Sequence, residues 1–273
     1  MSLARRPGPT VRTRVEEHTA DRVSHREDRL ATEEPLEVRL AWPGAAARRV
    51  WVTMRTPGHD FELATGWLVH EGIAPSVAGV AYCTDADLAA DQEFNVVTVS
   101  LDAPPLREPT TRHEARSAGS SACGVCGSDS VADALEVAAA ARWDGPLPTP
   151  EVVRTLPSRL REHQAVFART GGVHAAALAR ADGELLVVRE DVGRHNAVDK
   201  VTGARVLAGA APAEACLVVS GRAGFELVQK AVAAGIGSLV SVGAPTSLSA
   251  RLAADSGLAL WGFTAADRAV RYC

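Results

Sequence analysis

The sequence predicts an α/β protein in two parts: a small α+β unit, then a larger unit with a mixed, mainly parallel sheet flanked by helices. Three observations carry this prediction. The last hundred residues alternate short apolar runs with stretches of helical periodicity, the pattern of strands joined by helices that cover a sheet. Two alternating apolar runs before residue 55 have the period of half-buried strands. Between these regions lies a proline-bearing, polar and basic stretch that reads as a linker. The chain has 273 residues, 47% hydrophobic and 23% charged, enough to build substantial cores.

Residues 1–31 carry seven arginines among acids and prolines, with almost no apolar periodicity, and read as a disordered tail. Residues 32–103 read as the α+β unit. Its strands are expected over 36–40 and 50–54, a hairpin across Trp42-Pro43-Gly44, and over 80–83 and 94–101. Its helix begins after Pro57-Gly58, carries Asp60 and Glu62 in the first turn and ends near Gly72. Residues 104–127 form the linker and a loop holding two cysteines. The second unit, 128–273, opens with a helix capped by Ser128 or Asp129 that runs towards Trp143, and Thr149-Pro150-Glu151 starts another that ends near His163. A hairpin follows, 173–179 and 185–190, around Asp182-Gly183. Then come a helix over 192–207, a strand over 215–220, a helix over 225–234, a strand over 239–242, a helix over 247–254 and a strand over 258–261.

A net charge of −4 supplies no global positive field for nucleic acid or anionic lipid, so any anion site must be local. No stretch approaches the roughly 20 apolar residues of a membrane span, and no signal peptide is visible, so a cytoplasmic location is expected. The five cysteines, Cys83, Cys123, Cys126, Cys216 and Cys273, are odd in number and scattered, which argues for reduced thiols.

Chemistry concentrates in four places. In Cys123-Gly124-Val125-Cys126-Gly127 two cysteines stand three apart. A zinc site needs four ligands and no second pair exists, so no metal is expected. A helix start and the nearby Arg112, His113 and Arg116 favour the thiolate, and Gly119, Gly124 and Gly127 open the backbone to a partner. A thiol presented this way can hand on sulfur or electrons; a structural loop is the alternative. Thr170-Gly171-Gly172-Val173-His174 suits a site or a core histidine in a tight turn. Glu190-Asp191-Val192-Gly193-Arg194-His195-Asn196-Ala197-Val198-Asp199-Lys200 is dense in charge where a strand meets a helix, and its glycine before Arg and His suits an anion. Ser220-Gly221-Arg222-Ala223-Gly224 opens a helix after a strand and can cradle a phosphate, but it lacks the G-x-x-x-x-G-K-[ST] spacing of an NTPase loop. Gly243-Ala244-Pro245-Thr246-Ser247 repeats that arrangement, so three strand ends form one anion-binding rim. Arg194, His195, Lys200 and Arg222 are its candidate phosphate ligands.

Taken in this order, these blocks resemble the FdhD family of sulfurtransferase accessory proteins for formate dehydrogenase, from about Pro35 to Arg268. The resemblance implies a cytidine-deaminase-like C-terminal fold and a homodimer. It also implies that sulfur is taken from a cysteine desulfurase as a persulfide and passed to the molybdenum cofactor, Mo-bis(molybdopterin guanine dinucleotide), which is a bound substrate. The family's persulfide cysteine falls on Cys123, its second cysteine on Cys126. Its cofactor-binding stretch falls on Phe263, Thr264, Ala265, Ala266, Asp267 and Arg268, and a GDP-like nucleotide fits the same site. Family members often carry another basic residue in that stretch, so here the phosphate contact rests on Arg268. Neither a resident metal nor a nucleic-acid or membrane partner is implied. The competing class is a chaperone that holds cofactor or dehydrogenase without moving sulfur. Zinc-dependent deamination needs a His-x-Glu pair, whereas His174 is followed by Ala175 and Ala176.

Overall fold

The chain begins with a hairpin against the expectation of a disordered tail: β1 (Thr10–His18) pairs antiparallel with β2 (Val23–Ala31). Both faces are polar, so no apolar alternation betrays it. Opposite charges meet across the strands instead, Arg12 with Glu27 at 3.2 Å and Arg26 with Glu17 at 3.0 Å. This computed structural model describes residues 6–83, 88, 92–109 and 141–273. The cysteine pair, and residues 128–140 of the helix expected from Ser128, lie outside the described residues; Trp143 is not helical.

The α+β unit forms as its pattern requires. β3 (Glu34–Trp42) and β4 (Ala45–Arg55) make the hairpin, and β5 (Gly79–Tyr82) and β6 (Val96–Ser100) complete a four-stranded sheet in the order β4-β3-β6-β5. Helix α1 (Asp60–His70) packs on it, with Trp67 stacked on Trp51 at 4.7 Å between ring centroids. Fully buried Arg55 anchors the helix start: its Nε donates to Asp60 Oδ1 at 3.0 Å, and its Nη2 donates to Asn95 Oδ1 and Phe94 O at the same distance. Past the helix Gly72 takes φ +66, the left-handed conformation that ends helices and favours glycine.

The second unit follows. Thr149 accepts a hydrogen bond from Val152 N and starts α2 (Pro150–Glu162). Then come α3 (Ala165–Thr170), β7 (His174–Ala179), β8 (Leu185–Asp191), α4 (Arg194–Leu207), β9 (Cys216–Val219) and α5 (Phe225–Ala233). The chain finishes with β10 (Ser238–Ser241), α6 (Ser247–Asp255), β11 (Ala259–Ala265) and β12 (Arg268–Arg271). The six strands order as β12-β11-β10-β9-β7-β8. Parallel pairing is confined to β9, β10 and β11, and the flanking pairs are antiparallel. Helices α4, α5 and α6 bury one face, and α2 lies on the other through Val153, Leu156 and Leu160. Among the described residues no helix is long and apolar enough to cross a membrane.

Helix α1 joins the two units by crossing α4 at glycines. A Cβ on Gly66 would lie 1.9 Å from Asp199 O, and one on Gly203 would lie 1.8 Å from Glu62 O, so each main chain fills the other's side-chain space. Gly66→Ala or Gly203→Ala should therefore cost about 3 kcal/mol or more in urea unfolding, whereas Gly79→Ala, with nothing within 4 Å of its Cβ, should stay within about 0.5 kcal/mol. Beside the crossing Glu62 accepts from Arg189 Nη2 at 2.7 Å. Burial pushes the Glu62 carboxyl up, but Arg189 and His59 outweigh it and hold the group at about 2, below its ordinary 4.5. A depressed carboxyl contributes stability above its ordinary value and loses it as pH falls through the folded value. Acid unfolding between pH 4.5 and about 2 should therefore be shallower in Glu62→Gln than in the parent, read from urea midpoints across that window.

Candidate functional site

The antiparallel placement of β7 gathers one edge of the large sheet. Ala176 pairs with Val219 and His174 pairs with Asp191, so the start of β7 lies beside the ends of β8 and β9. The parallel strands β10 and β11 end at the same edge, where Phe263 N donates to Gly243 O at 3.1 Å and Gly243 N to Gly221 O at 2.9 Å. Loops 220–224 and 243–246 touch there through the bridge Ala223 to Pro245. They fit because Gly243 has no side chain: a Cβ would lie 3.0 Å from Arg222 Cγ and 3.1 Å from its Cα. The rim expected from three strand ends is thus assembled.

Two helices start at this rim with glycine caps, α4 after Gly193 and α5 after Gly224, and neither has a side-chain cap. Their first N–H groups and positive dipole ends are suited to an anion. Arg194 and His195 occupy the first turn of α4, and Arg222, exposed, stands just before α5. His195 Nε2 lies 2.8 Å from Glu226 Oε2, which sequence reading missed because an acid in a first helical turn is unremarkable. By contrast α6 is closed by Thr246 and Ser249 in a capping box.

Most of the charged segment 190–200 faces inward. Glu190 caps α3, accepting from Val166 N and Phe167 N at 2.8 Å each. Asp191 accepts from Thr56 N at 3.2 Å and from Gly193 N at 2.8 Å, and Asn196 Nδ2 donates to Met54 O at 2.8 Å. Lys200 corrects an expectation: it is 1% exposed, its Nζ lies 2.7 Å from Asp191 Oδ2, and it donates to Thr56 O at 2.9 Å. It is a tie between the two units, not a phosphate ligand. More than a turn and a half past Arg194, Lys200 stands away from the helix start, on the side of α4 that meets Asp191 and Thr56.

The stretch 263–268 extends from the rim as the β11–β12 hairpin. Phe263 has φ +49 and is exposed, and the Arg268 guanidinium lies 5.4 Å from its ring centroid. Positive φ in an aromatic residue is strained backbone of the kind that collects at functional sites. Ala265, Ala266 and Asp267 are exposed at the hairpin end, but Thr264 is buried and turned away from any ligand at the surface. Cys123 and Cys126 lie outside the described residues.

Fold and rim together define a mixed α/β protein that offers an anionic ligand cations and bare helix starts at the carboxyl edge of its parallel strands. The chain belongs to the FdhD/NarQ family, whose profile matches residues 31–273. A sulfur carrier protein FdhD of Streptomyces avermitilis is 48% identical over 250 residues, 88% of this chain and 86% of its own length. That of Streptomyces coelicolor is 49% identical with the same coverage, and that of Mycolicibacterium paratuberculosis 46% over 94% of both chains. A Desulfotalea psychrophila crystal structure, assigned as a formate dehydrogenase accessory protein, superposes with a TM-score of 0.72 over 96% of both chains at 22% identity, a likeness of fold.

Removing one partner of a buried pair strands the other charge. Lys200→Met, which leaves the fully buried Asp191 without its cation, should destabilise the protein by about 3–5 kcal/mol in urea unfolding, more than Arg222→Ala at the exposed rim.

Proposed function

We propose that this protein carries sulfur for formate dehydrogenase, taking it from a cysteine desulfurase onto Cys123 and passing it to the guanine dinucleotide molybdenum cofactor. The relatives named sulfur carrier protein FdhD, 46–49% identical in the three cases above, support the carrier role. The observation that carries the cofactor's location is the pair of uncapped helix starts, α4 and α5, beside Arg194, His195 and Arg222 on one sheet edge. Diphosphates fit such donors, and the strained Phe263 with Arg268 over its ring adds an aromatic surface and a further cation at that edge.

Loading is a thiol exchange. The Cys123 thiolate attacks the outer sulfur of the donor persulfide, the donor's S–S bond breaks, and its thiolate leaves with the bonding pair. Cys126 is the second cysteine of the loop; if its thiolate displaces the outer sulfur as hydrosulfide, a Cys123–Cys126 disulfide remains, and a dithiol must reduce it before the next cycle. The active form is a cytoplasmic homodimer in this reading. A chaperone without sulfur transfer would need neither thiol.

Incubation with a desulfurase and cysteine should add the mass of one sulfur atom to the peptide containing Cys123. Cys123→Ala should abolish dehydrogenase activation while cofactor still binds; full activation by that variant would sink the carrier role. Arg194→Ala and Arg222→Ala should each weaken GDP binding by about tenfold, measured by calorimetry, if the rim holds the phosphates.

A further inference from the structure

His174 stands at the centre of the rim without an assigned task. Its ring lies against Gly221, where a Cβ would sit 3.4 Å from Nδ1 and 3.6 Å from Cε1. The loop is pinned there, because Ala175 N donates to Ser220 Oγ at 2.9 Å and Ser220 N donates to Ala175 O at 3.0 Å. Asp191 ends the neighbouring strand β8 and is the register partner of His174. From α4 come Arg194 and His195, the latter paired with Glu226 of α5, and the loop before α5 supplies Arg222. The ring is half-buried, yet among the described residues no hydrogen bond or ion pair engages it. An imidazole has a donor or acceptor at each nitrogen, so this one is completed by solvent or by a ligand.

Resting on the reading of the rim as the cofactor's site, we propose that His174 is a further binding residue there, donating a hydrogen bond to a phosphate oxygen and taking up one proton as that phosphate docks. Burial first, then the positive charges of Arg194 and His195, hold the free ring below the ordinary imidazole range, while Asp191 pulls it upward. A phosphate set among these cations cancels their field and supplies an acceptor, so the ring's hold on a proton rises. The proton comes from solvent to a ring nitrogen, and no bond of the cofactor breaks. A group neutral in the free protein and protonated in the complex strengthens binding as pH falls between its free and bound values, by at most about tenfold per pH unit. The same coupling makes the rim prefer multiply charged phosphates, since a ligand without charge leaves the ring neutral.

The test uses the whole protein with GDP as the probe. The His174 ring is followed by NMR, assigned through the Val173–His174–Ala175 backbone, so the titration needs no variant. With GDP saturating, its titration midpoint should move upward, and GDP affinity should tighten towards about pH 6. In His174→Gln, which keeps a donor but does not titrate, that slope should flatten, and affinity at about pH 6 should fall about tenfold. The nucleotide's own protonation is common to both proteins and cancels in the comparison. An unmoved His174 midpoint with GDP bound, or equal slopes in the two proteins, overturns this role and leaves the rim reading standing. GDP affinity unchanged in Arg194→Ala and Arg222→Ala, or no GDP binding at all, overturns the rim reading and the His174 role with it.

Discussion

The crossing of α1 and α4 at Gly66 and Gly203 fixes how closely the two units approach, and α4, packed between α1 and the large sheet, carries Arg194 and His195 to the rim at its start. Each glycine's side-chain space is filled by the partner helix's carbonyl, a separation that no other residue permits. At that distance a buried charge of α4 reaches across: Asp199 Oδ1 lies 2.5 Å from His70 Nδ1 of α1, and it also accepts from Lys230 Nζ of α5 at 2.7 Å. Lys200 likewise spans from Asp191 to the Thr56 carbonyl. Buried pairs of this kind add little net stability, but a shift of α4 by one residue would strand all of them at once. They therefore define a single register for the helix whose first turn carries Arg194 and His195.

That register explains how one dense run of charge serves two ends. Glu190, Asp191, Asp199 and Lys200 point into protein, where they cap α3 and lock the two units. With the acids taken inward, the outward groups are Arg194 and His195 at a helix start that has no side-chain cap. The sheet adds a second contribution. Because β7 runs antiparallel to β9, its first residue, His174, arrives at the edge where the parallel strands finish. A wholly parallel sheet would have placed that strand's start at the opposite edge.

Much of the fold was legible in the sequence. Apolar alternation located β3 and β4, helical spacing with Asp60 and Glu62 located α1, and Thr149-Pro150 marked the start of α2. The N-terminal hairpin was not, because its strands pair through Arg12, Glu17, Arg26 and Glu27, and leave no apolar face to read. Helix α3 spans only Ala165–Thr170, and its N–H groups are capped by Glu190 from a distant strand, a signal absent from its own residues. Strand β12 is short and held by its hairpin to β11. At the rim, residue order alone placed Arg194, His195 and Arg222 at strand ends beside helix starts, which is where they stand in the fold. Lys200 was misassigned because charge alone does not reveal burial, and its partners Asp191 and Thr56 come together only in the fold.

The proposed function requires sulfur to move from a carrier thiol to a cofactor seated at this rim. A single-turnover experiment tests that directly: protein loaded with radiolabelled sulfur on Cys123 is freed of donor and mixed with the guanine dinucleotide molybdenum cofactor. Label is expected on the cofactor after one turnover, at a rate lowered in Arg194→Ala and Arg222→Ala. Label that stays on the protein while the cofactor binds would contradict it.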